Sequence, residues 1–208
     1  MLADTIYPVT AVGYVVHNCL SMLRLYLIDG PWIVFVLYWA ASALKTRRTI
    51  RRDPFVSRHG ILLIEVAGFF LLFSDTANIG VLEHHIYPRN FAVSAIAVAL
   101  TWTGIAIALW ARWHLGQYWS GRITLKEGHQ LIRTGPYAHF RHPIYSGLDL
   151  AVIGTALAVD RWRAVAGVAI VVVGYWIKAR REESMLSQQF GQLFEEHRQH
   201  TGFLLPKF

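Results

Sequence analysis

The sequence predicts an all-α integral membrane protein, a helical bundle with five or six spans. Of its 208 residues, 54% are hydrophobic and only 16% are charged, and the mean hydropathy is +0.36. Soluble domains carry about a quarter charged residues, and a soluble chain of this length could not bury so much apolar surface. The apolar residues also fall into runs separated by clusters of charge, as in membrane proteins. The same composition excludes disordered, collagen-like and coiled-coil proteins. A disulfide-rich scaffold is excluded because Cys19 is the single cysteine.

Residues 1–111 are predicted to form the N-terminal transmembrane helices. The run 91–110 is the clearest span, because it has about twenty residues without a charge. Apolar runs also cover 32–44 and 61–73. Residues 5–28 are long enough to span but contain polar and charged side chains. They either form a tight helical pair with 32–44 or lie partly in the interface.

Residues 112–208 form a region of different character, which we take as a second unit. Residues 112–145 are polar and rich in turn-forming glycines. Two apolar runs of 14 residues, 146–159 and 164–177, follow and are joined by four residues. So short a connection predicts an antiparallel helical hairpin. The tail from Lys178 onward combines charge with an apolar stripe at helical spacing, which predicts a C-terminal helix outside the membrane.

The distribution of cations orients the chain in the membrane. Residues 45–58 hold six Lys or Arg against one acid, and residues 112–141 hold five against Glu127. Residues 74–90, by contrast, hold one arginine against two acids. The two cationic regions and the tail are therefore expected on the cytoplasmic side. The net charge of +7 then reflects these loops and not nucleic-acid binding. The short length and the lack of a targeting signal favour a prokaryotic inner membrane.

Several common catalytic and binding motifs are missing from the sequence. No Gly-x-Gly pair, phosphate loop or nucleophile elbow is present. The pairs His139/His142 and His197/His200 have a spacing found in metal sites. No His-Glu-x-x-His motif or nearby cysteine accompanies them, so we expect no metal.

The densest group of functional residue types lies at 135–145, Gly-Pro-Tyr-Ala-His-Phe-Arg-His-Pro-Ile-Tyr. Gly135-Pro136 predicts a turn, and Pro143 is suited to the first position of the next helix. Arg141 and His142 should then lie at that helix N-terminus, which favours anions. An arginine there could hold a carboxylate with two hydrogen bonds. Equally, the two residues could be a snorkelling anchor at the membrane surface.

Charged residues at the end of the second short run are a further candidate. Glu182 and Glu183 follow Lys178 where the helix would leave the membrane, and could bind an amine or a ribose diol. The alternative is a solvated, salt-bridged helix face. Glu65 and Asp149 lie inside apolar runs. Such residues usually face a cavity or a partner, although an interhelical hydrogen bond or a snorkelling role fits them equally well.

These segments together resemble a known family. The residues that carry the resemblance are Gly135-Pro136-Tyr137, Arg141-His142-Pro143-Ile144-Tyr145-Ser146-Gly147, the hairpin, Arg181-Glu182-Glu183, Phe190-Gly191 and Leu205-Pro206. Leu115-Gly116, Trp119-Ser120 and Lys126-Glu127-Gly128-His129 precede them. The pattern is similar to that of the isoprenylcysteine carboxyl methyltransferase family, over about 112–208. The N-terminal half matches only as membrane spans.

The resemblance implies a membrane methyltransferase that uses S-adenosyl-L-methionine. The residues expected to line the cofactor pocket are His129, Gln130, Leu131, Ile132, Tyr137, His142, Pro143, Ile144, Tyr145, Glu182 and Glu183. Arg141, His142 and Glu182 are expected to act in catalysis. Arg141 and Lys178 are expected to bind the substrate, Lys178 standing near a position where the family usually has arginine.

The acceptor implied by the resemblance is a lipophilic or lipidated molecule that enters from the bilayer, with a carboxylate of the isoprenylcysteine type. Contact with membrane lipids is expected and contact with nucleic acid is not. Phospholipid methylation is an alternative, as is methylation of another small molecule on nitrogen, sulfur or oxygen. For an amine or thiol acceptor, His139, His142 or Glu182 would be the candidate base. An NADPH-dependent membrane reductase and a non-catalytic membrane protein are further alternatives.

Overall fold

The computed structural model describes residues 25–44, 49–52, 55–74, 80–88, 90–119, 124–126, 128 and 130–207. The segment 5–28, for which a span and an interfacial position are both open, therefore lies almost wholly outside the described residues. The helices are α1 (Gly30–Ala43), α2 (Phe55–Phe73), α3 (Phe91–Leu115), α4 (Pro143–Val159), α5 (Trp162–Phe190) and α6 (Gln192–His200). The strands are β1 (Thr49–Arg52) and β2 (Thr124–Lys126). A π-helical turn, Leu25–Asp29, precedes α1.

Three helical segments in the described part of the chain are long and apolar enough to cross a membrane. They are Tyr26–Ala43, Phe91–Tyr118 and Trp162–Phe190. Two shorter apolar helical segments, His59–Phe73 and Pro143–Val159, accompany them. Large apolar side chains such as Leu37, Leu63 and Trp176 remain exposed on the helix surfaces. A surface of this kind is stable against lipid, so the chain is a helical membrane protein.

Small residues bring α3 and α4 into close contact. Gly104 on α3 faces Gly147 on α4, and a Cβ added at Gly147 would lie 2.6 Å from the Gly104 carbonyl oxygen. About two turns further along α4, a Cβ at Gly154 would lie 2.6 Å from the backbone nitrogen of Thr101. Because these neighbours are main-chain atoms, a side chain at either glycine would push the helices apart. Small-residue contacts of this kind are typical of membrane helix pairs.

The helices α2 and α5 form a second closely packed pair. A Cβ added at Gly167 on α5 would lie 2.7 Å from the carbonyl oxygen of Gly68 on α2. The fully buried side chains of Leu72 and Val171 belong to the same core. Trp32 of α1 joins this core and donates a hydrogen bond from Nε1 to Thr155 Oγ1 on α4 at 2.9 Å.

The strands form a two-stranded antiparallel ribbon, β1 with β2, in which Arg52 pairs with Thr124. The ribbon joins the α1–α2 connection to the segment after α3. The two cationic regions of the sequence therefore meet at one end of the helices. This short ribbon is an addition to the all-helical prediction, and the sequence has only brief β-branched stretches at these positions to indicate it.

The turn between α4 and α5 is held at the opposite end of the helices. Asp160 caps α4 with a left-handed backbone (φ 53°), and α5 begins at Trp162. The Asp160 carboxylate accepts hydrogen bonds from His85 Nδ1 at 2.6 Å, from the Ile86 N–H at 3.0 Å and from the Tyr87 N–H at 3.2 Å. This contact fixes the loop between α2 and α3 against the hairpin.

Helices α4 and α5 follow each other across a short turn where the sequence predicts a hairpin, and α5 is longer than the second apolar run. We expected the membrane helix to give way to a separate tail near Lys178, whereas α5 continues without a break to Phe190. The reason is that Lys178–Phe190 keeps good helix formers, and the first break is Gly191, whose φ of 51° favours glycine. The charged residues at 178–183 therefore lie on the same rigid helix as the hairpin.

Candidate active site

The site begins at the N-terminus of α4, where the chain turns into the membrane helix. Pro143 is the first helical residue, as predicted, and His142 precedes it as the N-cap. Proline fits this position because its missing N–H would have no helical partner. The preceding turn, Gly135–Ala138, starts at Gly135 with a φ of 59°. Arg141 and His142 are thereby placed at the mouth of α4.

The two adjacent glutamates of α5 meet this mouth. The Glu183 Oε1 atom pairs with Arg141 Nε and lies 3.4 Å from His142 Nε2. The Glu182 Oε2 atom lies 3.6 Å from His142 Nδ1. The His142 side chain is only 4% exposed, whereas that of Glu182 is 25% exposed. His142 is therefore held between two carboxylates, and Glu182 is the one that keeps access to solvent.

Tyr145, in the first turn of α4, contacts the other carboxylate oxygen of Glu182, Oε1. Its hydroxyl donates to Glu182 Oε1 at 2.5 Å. The ring of Tyr145 stacks on that of Tyr175 with centroids 5.1 Å apart, and lies 5.7 Å from that of His142. The stacked rings allow Tyr145 little freedom, so the orientation of the Glu182 carboxylate is set before any ligand binds.

The C-terminal strap, residues 201–207, closes the site on its outer side. The backbone N–H of Arg141 donates to the Gly202 carbonyl at 2.8 Å, and that of Gly202 to the His139 carbonyl at 3.0 Å. Ser146 Oγ donates to the Leu204 carbonyl at 2.7 Å. The guanidinium of Arg141 also donates to the carbonyls of Arg198 and Thr201. Arg141 thus joins α4, Glu183 and the strap.

Electrostatics favour a protonated His142. Although burial lowers the pKa of the His142 imidazole, the carboxylates of Glu182 and Glu183 outweigh it and raise that pKa above its usual value. The pKa of His197, in α6, shifts in the opposite direction. Burial and the positive charges of Arg133 and Arg141 both disfavour its protonated form, and they lower its pKa to about 4. Burial also raises the pKa of the Tyr137 hydroxyl, so this tyrosine is a neutral donor at physiological pH.

Lys178 lies one helical turn before Glu182 on α5. Its ammonium pairs with Glu65 Oε1 of α2 at 3.0 Å, and the two side chains are 11% and 15% exposed. The same ammonium lies 5.5 Å from the centre of the Tyr145 ring. Of the alternatives for Glu65, the structure has the contact with another helix. Asp149 of α4 has a buried Oδ1 without a hydrogen-bond partner among the described residues.

The structure brings together six of the residues proposed from the sequence: Arg141, His142, Tyr145, Lys178, Glu182 and Glu183. Pro143, Ile144 and Tyr137 are buried beside them. Gln130, Leu131 and Ile132 lie on the segment that leads to the Gly135–Ala138 turn. Gln130 is exposed, and Ile132 packs against the core. His129 lies outside the described residues.

Sequence reasoning missed two contributors to the site. Phe203 of the strap places its ring 5.2 Å from that of His142 and 4.8 Å from the Arg180 guanidinium. No spacing in the sequence indicates that contact. The sequence identifies Glu65 as a charge in an apolar run, but it does not indicate that Lys178 is its partner. The opposite charges of two membrane residues were the available signal.

Metal binding has no support in the described part of the chain, where no group of three or more His, Cys, Asp or Glu side chains could hold a metal ion. His139 and His142 have the spacing of a metal pair, but the His142 ring is engaged by the two glutamates.

Comparison with known proteins matches residues 96–188 to the isoprenylcysteine carboxyl methyltransferase family. The chain is 31% identical to protein-S-isoprenylcysteine O-methyltransferase B of Arabidopsis thaliana over 130 residues, which are 60% of this chain and 62% of that protein. It is 24% identical to the nickel-cobalt-cadmium resistance protein NccN of Alcaligenes xylosoxydans xylosoxydans, over 74% of this chain and 68% of the relative. It is 27% identical to the cobalt-zinc-cadmium resistance protein CzcN of Cupriavidus metallidurans, over 74% and 67%.

The matched region runs from the middle of α3 through the hairpin to the end of α5, so it contains His142, Lys178 and both glutamates of the site. It also contains the sequence motifs quoted above, except Phe190-Gly191 and Leu205-Pro206. Through this region, the chain is similar to the isoprenylcysteine carboxyl methyltransferase family.

Proposed function

We propose that this membrane methyltransferase transfers a methyl group from S-adenosyl-L-methionine to the carboxylate of a lipophilic acceptor of the isoprenylcysteine type. The observation that carries the proposal is the fixed carboxylate of Glu182. It lies at the mouth of the hairpin, is oriented by Tyr145 and His142, and remains partly exposed. It belongs to the segment that matches the family.

The residues at this mouth suit the polar groups of the proposed cofactor. A carboxylate accepts hydrogen bonds from the two hydroxyls of a ribose or from an amino group, and Glu182 offers one with some solvent access. The N-terminus of α4 is suited to the carboxylate end of an amino acid. His142 Nε2 is buried and lies 3.4 Å from Glu183 Oε1, without a hydrogen bond of good geometry among the described residues. This set of donors and acceptors fits an amino-acid nucleoside.

When bound, S-adenosyl-L-methionine supplies a methyl group on a positive sulfur, whose bond to carbon breaks with the electron pair left on sulfur as the carbon–oxygen bond forms. The protein has no proton to remove from a carboxylate acceptor, because the pKa of a terminal carboxyl group is about 3.5. Its task is to hold two reactants in line, which contributes up to about 7–11 kcal/mol in well-oriented reactions. Glu182, fixed by Tyr145, would position one reactant, and Lys178 the other.

The membrane position of the site accounts for a lipophilic acceptor. Lys178 lies on α5 among helices whose outer faces are apolar, so a hydrocarbon tail could reach it sideways from the bilayer while the polar head meets the ammonium. We propose that the site lies on the cytoplasmic side of the membrane. The two cationic connections joined by the β1–β2 ribbon lie at the end of the helices where α1 ends and α2 begins, and cationic loops favour that side.

The test is a methyl-transfer assay on the purified protein in lipid nanodiscs. Labelled S-adenosyl-L-methionine is supplied with N-acetyl-S-farnesylcysteine, and with the same thioether lacking the carboxylate as control. We expect a base-labile methyl ester from the first acceptor and no product from the second.

Three parallel assays separate the alternatives. Methylation of phosphatidylethanolamine in the nanodiscs, without transfer to the farnesylcysteine, would overturn the carboxylate acceptor and favour the phospholipid alternative. Oxidation of NADPH without methyl transfer would overturn the methyltransferase itself. A protein that neither methylates nor binds S-adenosylhomocysteine would support the non-catalytic alternative.

A further inference from the structure

The ion pair between Lys178 and Glu65 involves the lysine that we propose to bind the acceptor. A charged pair within membrane helices is costly, so such residues usually mark a functional site. The pair joins α2 to α5, and its ammonium faces the ring of Tyr145, whose hydroxyl holds Glu182. One tyrosine therefore contacts both the lysine and the carboxylate proposed to bind the cofactor.

We propose that Glu65 is a specificity-determining residue whose carboxylate occupies the acceptor-binding lysine and is exchanged for the acceptor carboxylate. The inference rests on the proposed function and adds to it the residue that controls entry of the acceptor.

The chemistry of the pair supports exchange. Lys178 has a compact ammonium with three donors on a flexible stem, so it can release one carboxylate and take another without rearranging a planar fork. Glu65 and an acceptor carboxylate carry the same charge and accept the same hydrogen bonds. The number of ion pairs at Lys178 is therefore unchanged by the exchange, and the lysine is never left unpaired in a region of low dielectric constant.

The internal carboxylate also explains selectivity in a membrane. An uncompensated lysine at this depth would attract any anionic lipid headgroup, whereas Lys178 is already neutralised by Glu65. An acceptor must then bring enough additional binding energy, through its hydrocarbon tail and through contact with the loaded cofactor site, to displace Glu65. Selection by competition of this kind is a known route to specificity.

The arrangement of Arg141 strengthens this assignment. Its side chain is only 11% exposed, and its guanidinium is engaged by Glu183 and by carbonyls near the C-terminus. Releasing Arg141 would undock the strap, whereas releasing Lys178 costs only the contact with Glu65. Of the two cations expected to bind the substrate, Lys178 is the one whose partner can be exchanged locally.

The test measures binding of N-acetyl-S-farnesylcysteine to protein saturated with S-adenosylhomocysteine, so that no turnover is needed. Calorimetry in nanodiscs compares the wild type with Glu65→Gln, Lys178→Met and the double variant. We expect Glu65→Gln to bind the acceptor about tenfold tighter and Lys178→Met about tenfold weaker. The double variant should match Lys178→Met, because the gain requires the freed ammonium.

Two further readouts separate this role from a structural one. The acceptor should raise the thermal midpoint of Glu65→Gln more than that of the wild type, since it replaces the lost counter-ion. Glu65→Asp should restore wild-type affinity, and the dissociation constant of S-adenosylhomocysteine should be the same in all variants that fold.

Unchanged or weaker acceptor binding in Glu65→Gln would overturn the inference, as would a gain that survives in the double variant. The failure of the proposed function looks different. In that case the binding pattern is as expected, but the wild type supplied with S-adenosyl-L-methionine forms no methyl ester.

Discussion

The hydroxyl of Tyr145 donates a 2.5 Å hydrogen bond to Glu182 Oε1, and this bond connects the two arms of the membrane hairpin at the proposed cofactor site. Tyr145 lies in the first turn of α4, and Glu182 lies more than about five turns along α5. The bond therefore depends on the whole hairpin being packed as observed. It couples the packing of membrane helices to the orientation of a single carboxylate.

Removal of that hydroxyl should weaken cofactor binding without unfolding the protein. Hydrogen bonds to charged groups contribute about 1.5–3 kcal/mol, so Tyr145→Phe should raise the dissociation constant of S-adenosylhomocysteine at least about tenfold. Calorimetry checks this. The control is Tyr175→Phe, which keeps the stacked ring and leaves the Tyr145–Glu182 bond intact. Equal losses in both variants would contradict the role given to the bond.

Substitution of Arg141 should act on stability as well as binding. Its buried pair with Glu183 also ties down the carbonyls of Arg198 and Thr201. Removing one partner of a buried pair costs about 3–5 kcal/mol, so Arg141→Ala should lower the thermal midpoint markedly and expose the C-terminal strap to protease. Arg141→Lys keeps the positive charge but loses the planar guanidinium, so its thermal midpoint should lie between those of Arg141→Ala and the wild type. A wild-type midpoint in Arg141→Ala would contradict the contact described here.

The contact between α3 and α4 should tolerate no side chain at Gly147. A methyl group there would meet the Gly104 carbonyl oxygen and, at 2.7 Å, the Ala108 nitrogen. Overpacking costs about 1–3 kcal/mol, so Gly147→Ala should lower the thermal midpoint by about 5 °C. Gly60→Ala is the matched control, because a Cβ at Gly60 on α2 has no neighbour within 4 Å. Its midpoint should stay the same or rise.

Stability should fall on both sides of about pH 6.5, the ordinary pKa of histidine. The pKa of His197 is lowered to about 4, so between pH 6.5 and 4 the unfolded state binds more protons and acidification destabilises the fold. The pKa of His142 is raised, so its contribution is complete below pH 6.5 and is lost as the pH rises through the folded value.

Thermal midpoints across pH 4–8 check the two windows separately. His197→Gln should flatten the acid side of the profile, and His142→Gln the side above pH 6.5. A profile that His197→Gln leaves unchanged would show that this side chain is not held neutral by its surroundings.

The distant end of the hairpin should affect stability alone. Asp160→Asn keeps a side chain that tolerates the left-handed backbone, but it removes the charge that pairs with His85. We expect a lower thermal midpoint and an unchanged dissociation constant of S-adenosylhomocysteine. Weaker cofactor binding in this variant would mean that the two ends are coupled, which the local contacts at each end do not predict.

Much of the helical framework follows from the sequence, because apolar length and punctuation are local properties. Helix α4 begins at Pro143 and is capped at Asp160, close to the bounds that the sequence indicates for the first arm. The predicted end of the second arm was wrong. Hydropathy falls at Lys178, but the helix continues to Phe190 and is capped at Gly191. Hydropathy reports the surrounding solvent, whereas helix propensity and the first glycine with a positive φ, here Gly191, decide where this helix stops.

The site was predictable only in part. The motif around Arg141 and the adjacent glutamates indicated which residues matter, through the family they resemble. Their partners are contacts between distant segments: Lys178 with Glu65, and His142 with Phe203. No local pattern encodes a contact between residues 113 positions apart, so the internal counter-ion of the lysine required the structure.

The measurement that tests the central claim most directly is a calorimetric titration of S-adenosylhomocysteine into the wild type, Glu182→Gln and Glu196→Gln. Glu196 is an exposed glutamate of α6 and serves as the matched control. The account predicts micromolar binding to the wild type and to Glu196→Gln, with a loss of at least about tenfold in Glu182→Gln. Equal affinity in all three proteins, or no binding to the wild type, would contradict it.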